Sequence, residues 1–165
     1  MRVSSRFPIA VHTMLCIAHF EQSEKVTSAF IAGSVNVNPV IIRTVIRQLK
    51  DAGLATVDAG VGGAHIAKPL RDITLLDIYV AVEGDDRRIF GFHDNPNPQC
   101  PVGGNIHTLL DGELEDAQRA LETRLAHTTL QDLVDRLDSI TAPDATPSAR
   151  AGNTPNCAIA SIGVI

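Results

Sequence analysis

The stretch SVNVNPVIIRTVIRQLKDAG, residues 34–53, constrains this chain more than any other. Asn38 followed by Pro39 is a helix start: Asn caps free amides, and proline at the first helical position gives up no hydrogen bond. Ile42, Val45, Ile46 and Leu49 then recur at helical spacing and need an apolar surface to pack on. Arg43, Arg47 and Lys50 fall at i, i+4 and i+7 and share the other face. Gly53 ends the run as a C-cap. The spacing predicts a helix over 39–52 with one apolar and one basic face.

A shorter helix precedes it. Thr27 or Ser28 can cap residues 28–34 (SAFIAGS), and Asn36 and Asn38 suit the turn between the two helices. Two helices, a tight turn and a basic outer face on the second make a helix-turn-helix arrangement. Two packed short helices also occur in proteins that never touch DNA, so this pair alone leaves both readings open.

The flanking segments narrow the choice. Residues 4–20 have Pro8 in the first turn, and Ile9, Met14, Ile17 and Phe20 share a face with Ala10 and Leu15, which predicts a first helix. Residues 54–69 (LATVDAGVGGAHIAKP) read as strand, glycine-rich turn, strand. Gly60, Gly62 and Gly63 are expected to supply positive φ at that turn. A hairpin directly after a recognition helix is a wing. A phosphate-cradling loop is the rival reading of these glycines, but no Lys-Ser/Thr follows them and no helix opens there. Residues 73–83 (ITLLDIYVAVE) form an amphipathic helix, with Thr74 as cap and Asp77 at its N3 position.

A loop over 84–104 holds Pro96, Pro98, Cys100 and Pro101. Beyond it, Ile106, Leu109, Leu110, Leu114, Ala117, Leu121 and Leu125 recur every three or four residues. A break near His127–Thr129 starts a shorter helix carrying Leu130, Leu133, Val134 and Leu137. The winged half has a core of its own, so the long seam is expected to meet its twin in a second subunit. The division is 1–83 winged helix-turn-helix, 84–104 candidate sensor loop, 105–138 dimerisation helices and 139–165 flexible tail. The apolar terminus AIASIGVI has no assigned place.

Composition agrees with a mainly α fold carrying a small β-hairpin. Of 165 residues, 44% are hydrophobic and 20% charged, which supports a packed core. Five Phe, one Tyr and no Trp leave a core of aliphatic residues, more helical than sandwich-like. No run of apolar residues reaches bilayer length, and no convincing secretory signal opens the chain, so it is read as cytoplasmic. Cys16, Cys100 and Cys157 are odd in number and widely spaced, unlike a disulfide framework or a CxxC zinc site. Net charge is −5, yet residues 1–50 balance to +4 and residues 51–165 to −9. Phosphate attraction is local, so the local sign decides. Chance clustering on a solvated face is the plain alternative.

Five strings together resemble one family: SSRFPIAVHTMLCIA at 4–18, VIRQLKDAGL at 45–54, AGVGGAHIAKP at 59–69, ITLLDIYVAVE at 73–83 and NPNPQCPVG at 95–103. They are similar to the Rrf-two winged-helix regulators of bacteria, in the subgroup without an iron–sulfur cluster, over residues 1–138. The resemblance implies a homodimeric repressor of transcription. Its first three helices and wing would bind DNA, and the helix at 105–127 would cross its twin. Ser5 and Arg6 match the family's helix start, which approaches the DNA backbone. Two departures stand out. Cluster-binding members carry three cysteines where this chain has only Cys100, with His107 nearby, so no cluster and no other cofactor is expected. Many members place Arg before the first wing glycine, where Ala59 stands here.

The expected partner is double-stranded DNA carrying a palindromic operator. Arg43 and Arg47 are the foremost candidates for base or phosphate contacts. Ser5, Arg6, Thr27, Ser28, Asn36, Asn38, Lys50, Gly62 and Gly63 complete the expected DNA-binding set, while His65 is expected to face solvent. Dimerisation is expected through Ile106, Leu109, Leu110, Leu114, Leu121 and Leu125. Cys100 is a candidate redox or effector sensor, with an inert loop cysteine as the alternative. No enzyme is expected: His93, Asp94, Cys100 and His107 lie close in sequence but lack recognisable oxyanion donors. A winged-helix module that binds protein instead of DNA is the remaining alternative.

Overall fold

The computed structural model describes residues 5–59, 62–84, 88–91 and 93–142. The tail beyond 142, with Cys157 and the AIASIGVI terminus, lies outside the described residues, as do Gly60 and Val61 in the wing. Six α-helices appear in order: α1 Arg6–Phe20, α2 Ser28–Val35, α3 Pro39–Asp51, α4 Leu75–Glu83, α5 Ile106–Ala126 and α6 Leu130–Thr141. Between α3 and α4, strands β1 Ala55–Val57 and β2 Ala64–Ile66 pair antiparallel, with Thr56 opposite His65. A 3₁₀ turn, Leu70–Asp72, leads into α4.

Local chemistry sets most of these boundaries. The Thr27 hydroxyl accepts the Phe30 N–H and starts α2. The Asn38 carboxamide oxygen accepts the Val40 N–H, with Pro39 just inside α3. Ala52 is the cap at the other end of α3, and Gly53 follows it at φ 70°. Gly53 N–H reaches the Lys50 carbonyl and Leu54 N–H reaches that of Leu49, the paired bonds of a Schellman motif. Thr74 with Asp77 and Thr129 with Asp132 form capping boxes on α4 and α6.

The core lies on two sides of α1. On one side Ala10 and Met14 pack with Val45, Leu49, Leu54, Ile73, Ile78, Val82 and Leu130. On the other, Cys16 and Ile17 pack with Val26, Ile31, Ala32, Ile42, Ile46 and Ala64. The apolar stripe of α3 joins both, and each of its four aliphatic side chains stabilises the fold by about 1.5–3 kcal/mol.

The segment over 105–138 divides between two surroundings. Leu130 of α6 is 0% exposed inside the winged-helix core. Its N–H donates to the Ile73 carbonyl at 2.8 Å, and Leu75 N–H donates to that of Thr128 at 2.9 Å. Helix α6 is therefore part of the body that holds the wing. Helix α5 differs: none of its 21 residues is buried, and Leu109 is 66% exposed.

Candidate nucleic-acid interface

The chain turns by 113° between α2 and α3, within the range that helix-turn-helix pairs use. The three-residue link works because Asn36 adopts the left-handed conformation, at φ 58° and ψ 50°. Asn tolerates that region better than most residues. With Ile42, Val45, Ile46 and Leu49 buried, Arg43, Arg47 and Lys50 are exposed, as their spacing predicts.

The wing completes a cleft beside them. Ala64 N–H donates to the Val26 carbonyl at 2.9 Å, which ties β2 to the segment before α2. An open concavity of about 500 Å³ results, lined by Thr27, Ser28, Arg43, Arg47, Lys50, Gly62 and Gly63 together with Val26, Ile46, Val57 and Ala64. Seven of the eleven residues expected to bind DNA thus share one surface. The other four, Ser5, Arg6, Asn36 and Asn38, do not line it. Asn38 is committed to capping α3 and Asn36 to the turn.

The wing corrects one expectation and adds to another. Gly62 and Gly63 are not in the left-handed region: among the described glycines only Gly53 and Gly84 have positive φ. Glycine is needed here for space. A Cβ on Gly62 would collide with Asp58, and one on Gly63 would sit 3.3 Å from the Val26 amide nitrogen. The His65 side chain is exposed, as expected, but it also has acidic neighbours. Its Nε2 lies 3.1 Å from Asp58 Oδ2 and its Nδ1 lies 3.5 Å from Glu21 Oε2. The same Glu21 oxygen accepts the Ile66 N–H at 3.0 Å. The wing is held to the end of α1 by a carboxylate that no reading of the hairpin alone identifies.

Sequence reasoning also left Lys25 out of the site. Its stem lies 3.7 Å from where a Gly63 Cβ would stand, so an exposed cation stands beside the wing base. The local charge excess of residues 1–50 was the available signal. Away from the cleft, Cys100 is exposed in the loop before α5. Backbone hydrogen bonds from Gly103 and then Val102 hold its thiol below the ordinary range, against a smaller opposing effect of burial.

Comparison with known proteins decides the family. The model of the family described as Rrf2: Iron-dependent Transcriptional regulator matches residues 3–136. The chain belongs to the Rrf2 family. This Rrf2 protein is 43% identical over 135 residues to a Bacillus subtilis (strain 168) protein named "Putative HTH-type transcriptional regulator YwnA", covering 82% of this chain and 98% of that one. A crystal structure described as "a putative DNA binding protein" shares 40% identity at TM-score 0.61, covering 78% of this chain and 98% of the other. IscR of T. potens, at 22% identity and TM-score 0.64, covers 87% of this chain and 93% of its own, and shares the fold. The winged-helix architecture stands, and the family is one of transcriptional regulators, not enzymes.

Proposed function

We propose that this Rrf2 regulator binds a palindromic operator as a homodimer, through α3 and the wing-side cleft, and represses transcription from it. The observation that carries this reading is the cleft itself, where Arg43, Arg47 and Lys50 meet the Thr27 and Ser28 hydroxyls and the wing glycines. Cations and hydroxyls on one concave surface suit phosphate oxygens, and the α3 side chains beside them suit base edges. The exposed aliphatic face of α5 supports the dimer. Ile106, Leu110, Leu114, Leu121 and Leu125 are only partly covered and Leu109 is largely open, as a helix that waits for a partner would be. Among the described residues no single helix is long and apolar enough to cross a membrane, which fits work on cytoplasmic DNA.

The family description mentions iron. The donors present here do not suit an iron–sulfur cluster: Cys16 is packed inside α1, Cys100 stands alone in its loop and His107 bonds Asp111. Among the described residues no group of three or more His, Cys, Asp or Glu side chains is arranged to hold a metal ion. We take the regulator to act without a cluster, with the Cys100 thiolate as the group through which oxidants or electrophiles act.

The test is fluorescence anisotropy of reduced protein on duplex DNA from its own upstream region and on a scrambled duplex, across a salt series. Specific binding that weakens by orders of magnitude between about 50 and 200 mM salt is expected. Equal, salt-insensitive signals on both duplexes would overturn the reading and favour a protein-binding winged helix.

A further inference from the structure

The first turn of the outward face of α3 is not basic. At 3.6 residues per turn, Val40, Thr44 and Arg47 lie directly opposite the buried Ile42, Val45 and Leu49. Arg43 and Lys50 lie to one side, toward the wing cleft that they line. Ile41 and Gln48 lie to the other, where Gln48 donates to the Val82 carbonyl of α4. Val40 is 57% exposed and Ile41 42% exposed, so two branched aliphatic side chains face solvent in the first turn of the helix. The Thr44 hydroxyl donates to the Val40 carbonyl at 3.1 Å, which leaves its methyl as the group without a polar commitment. The end of the helix that enters the groove first therefore presents aliphatic carbon, rimmed by cations.

Packing does not explain these residues. Neither belongs to the core, and a solvated position opposite the core needs no aliphatic side chain. A protein partner would also bury them, but the cations on the same helix favour a polyanion. Helix-turn-helix proteins read base edges with the N-terminal residues of the recognition helix. The apolar feature on the major-groove edge of B-DNA is the thymine 5-methyl group. We infer that Val40 and Ile41 are specificity-determining residues that contact thymine 5-methyl groups, so that each half-site carries A·T pairs beneath the first turn of α3, with Arg43 and Arg47 contacting bases or phosphates around them. This rests on the DNA-binding reading given above.

The experiment begins with the full-length protein and a library of random duplexes. The bound fraction is amplified, and the winning duplex is resynthesised with deoxyuridine in place of one thymine at a time, which removes only the methyl. The expected result is thymine enrichment at adjacent positions of each half-site and about fourfold weaker binding per critical methyl removed, the factor for exposing one methyl-sized group. Val40→Ala and Ile41→Ala, exposed changes whose folding is checked by circular dichroism, should bind the thymine duplex more weakly and lose most of the thymine-over-uridine preference. A thymine-bearing winner that binds equally well with deoxyuridine at every position would overturn the inference and leave the DNA-binding reading intact. So would alanine variants that keep the full preference. A library that yields no winner would overturn both.

Discussion

Replacing Leu130 by Ala tests whether α6 belongs to the winged-helix body. Leu130 is 0% exposed, among Met14, Ile73 and Ile78 of one core cluster. Its removal exposes no new polar group, because the bond from Leu130 N–H to the Ile73 carbonyl is main chain. The cost is then the transfer of the lost methyl and methylene groups plus the cavity left among rigid neighbours, about 3–5 kcal/mol for a fully enclosed leucine. For a chain of 165 residues that corresponds to a melting point lower by roughly 6–20 °C, at about 2–4 °C per kcal/mol. Urea unfolding followed by circular dichroism, at one fixed protein concentration so that mass action cancels, gives the number directly. Ile140→Ala on the same helix is the control: 81% exposed, it should change stability by less than about 0.5 kcal/mol. A Leu130→Ala penalty below about 1 kcal/mol would refute the reasoning, because a docked α6 cannot lose its one fully buried side chain so cheaply.

Arg47→Ala should lower the slope of log affinity against log salt by about one per subunit if Arg47 contacts a phosphate, as anisotropy titrations will show. Cys100 should alkylate with its half-maximal rate at a pH below that of a cysteine peptide, by site-resolved mass spectrometry, since backbone N–H groups favour its thiolate. The Thr129 backbone N–H, then its hydroxyl, hold the Asp132 carboxyl below its usual value. Its folded pKa is depressed, so its contribution is complete above the unfolded value near about 4 and is lost as pH falls through the folded one. The urea midpoint gap between wild type and Asp132→Asn should therefore narrow on going from pH 7 to pH 3. Gly62→Ala should weaken operator binding and also lower the melting point, because the added Cβ meets the Asp58 backbone and the hairpin must shift to admit it.

What could be read from the sequence was what short-range chemistry writes there. The α3 stripe, the Asn38 cap with Pro39, the Thr27 cap and the Thr74–Asp77 box all act within one helical turn, and each lies where the spacing places it. The basic face follows from the same periodicity, which groups Arg43, Arg47 and Lys50 on the surface they share. Contacts between distant segments leave no such mark. Glu21 meets Ile66 across 45 residues, and His65 alternates correctly for a strand whether or not a carboxylate waits beneath it. Leu130 looks like any seam leucine until the 3₁₀ turn before α4 is seen to receive it. Val40 and Ile41 are not marked by charge, since an exposed aliphatic residue carries none, and only their exposure in the fold sets them apart.

The bond from Ile66 N–H to Glu21 also turns one amide proton into a gauge of the wing. In a hairpin of two three-residue strands most amides exchange with solvent quickly, since little has to open to free them. The Ile66 proton is shielded only while the end of α1 and β2 stay together. Its exchange rate in deuterated water would report, at a single resonance, how often the wing lets go of the body, and whether bound DNA or a modified Cys100 changes that frequency.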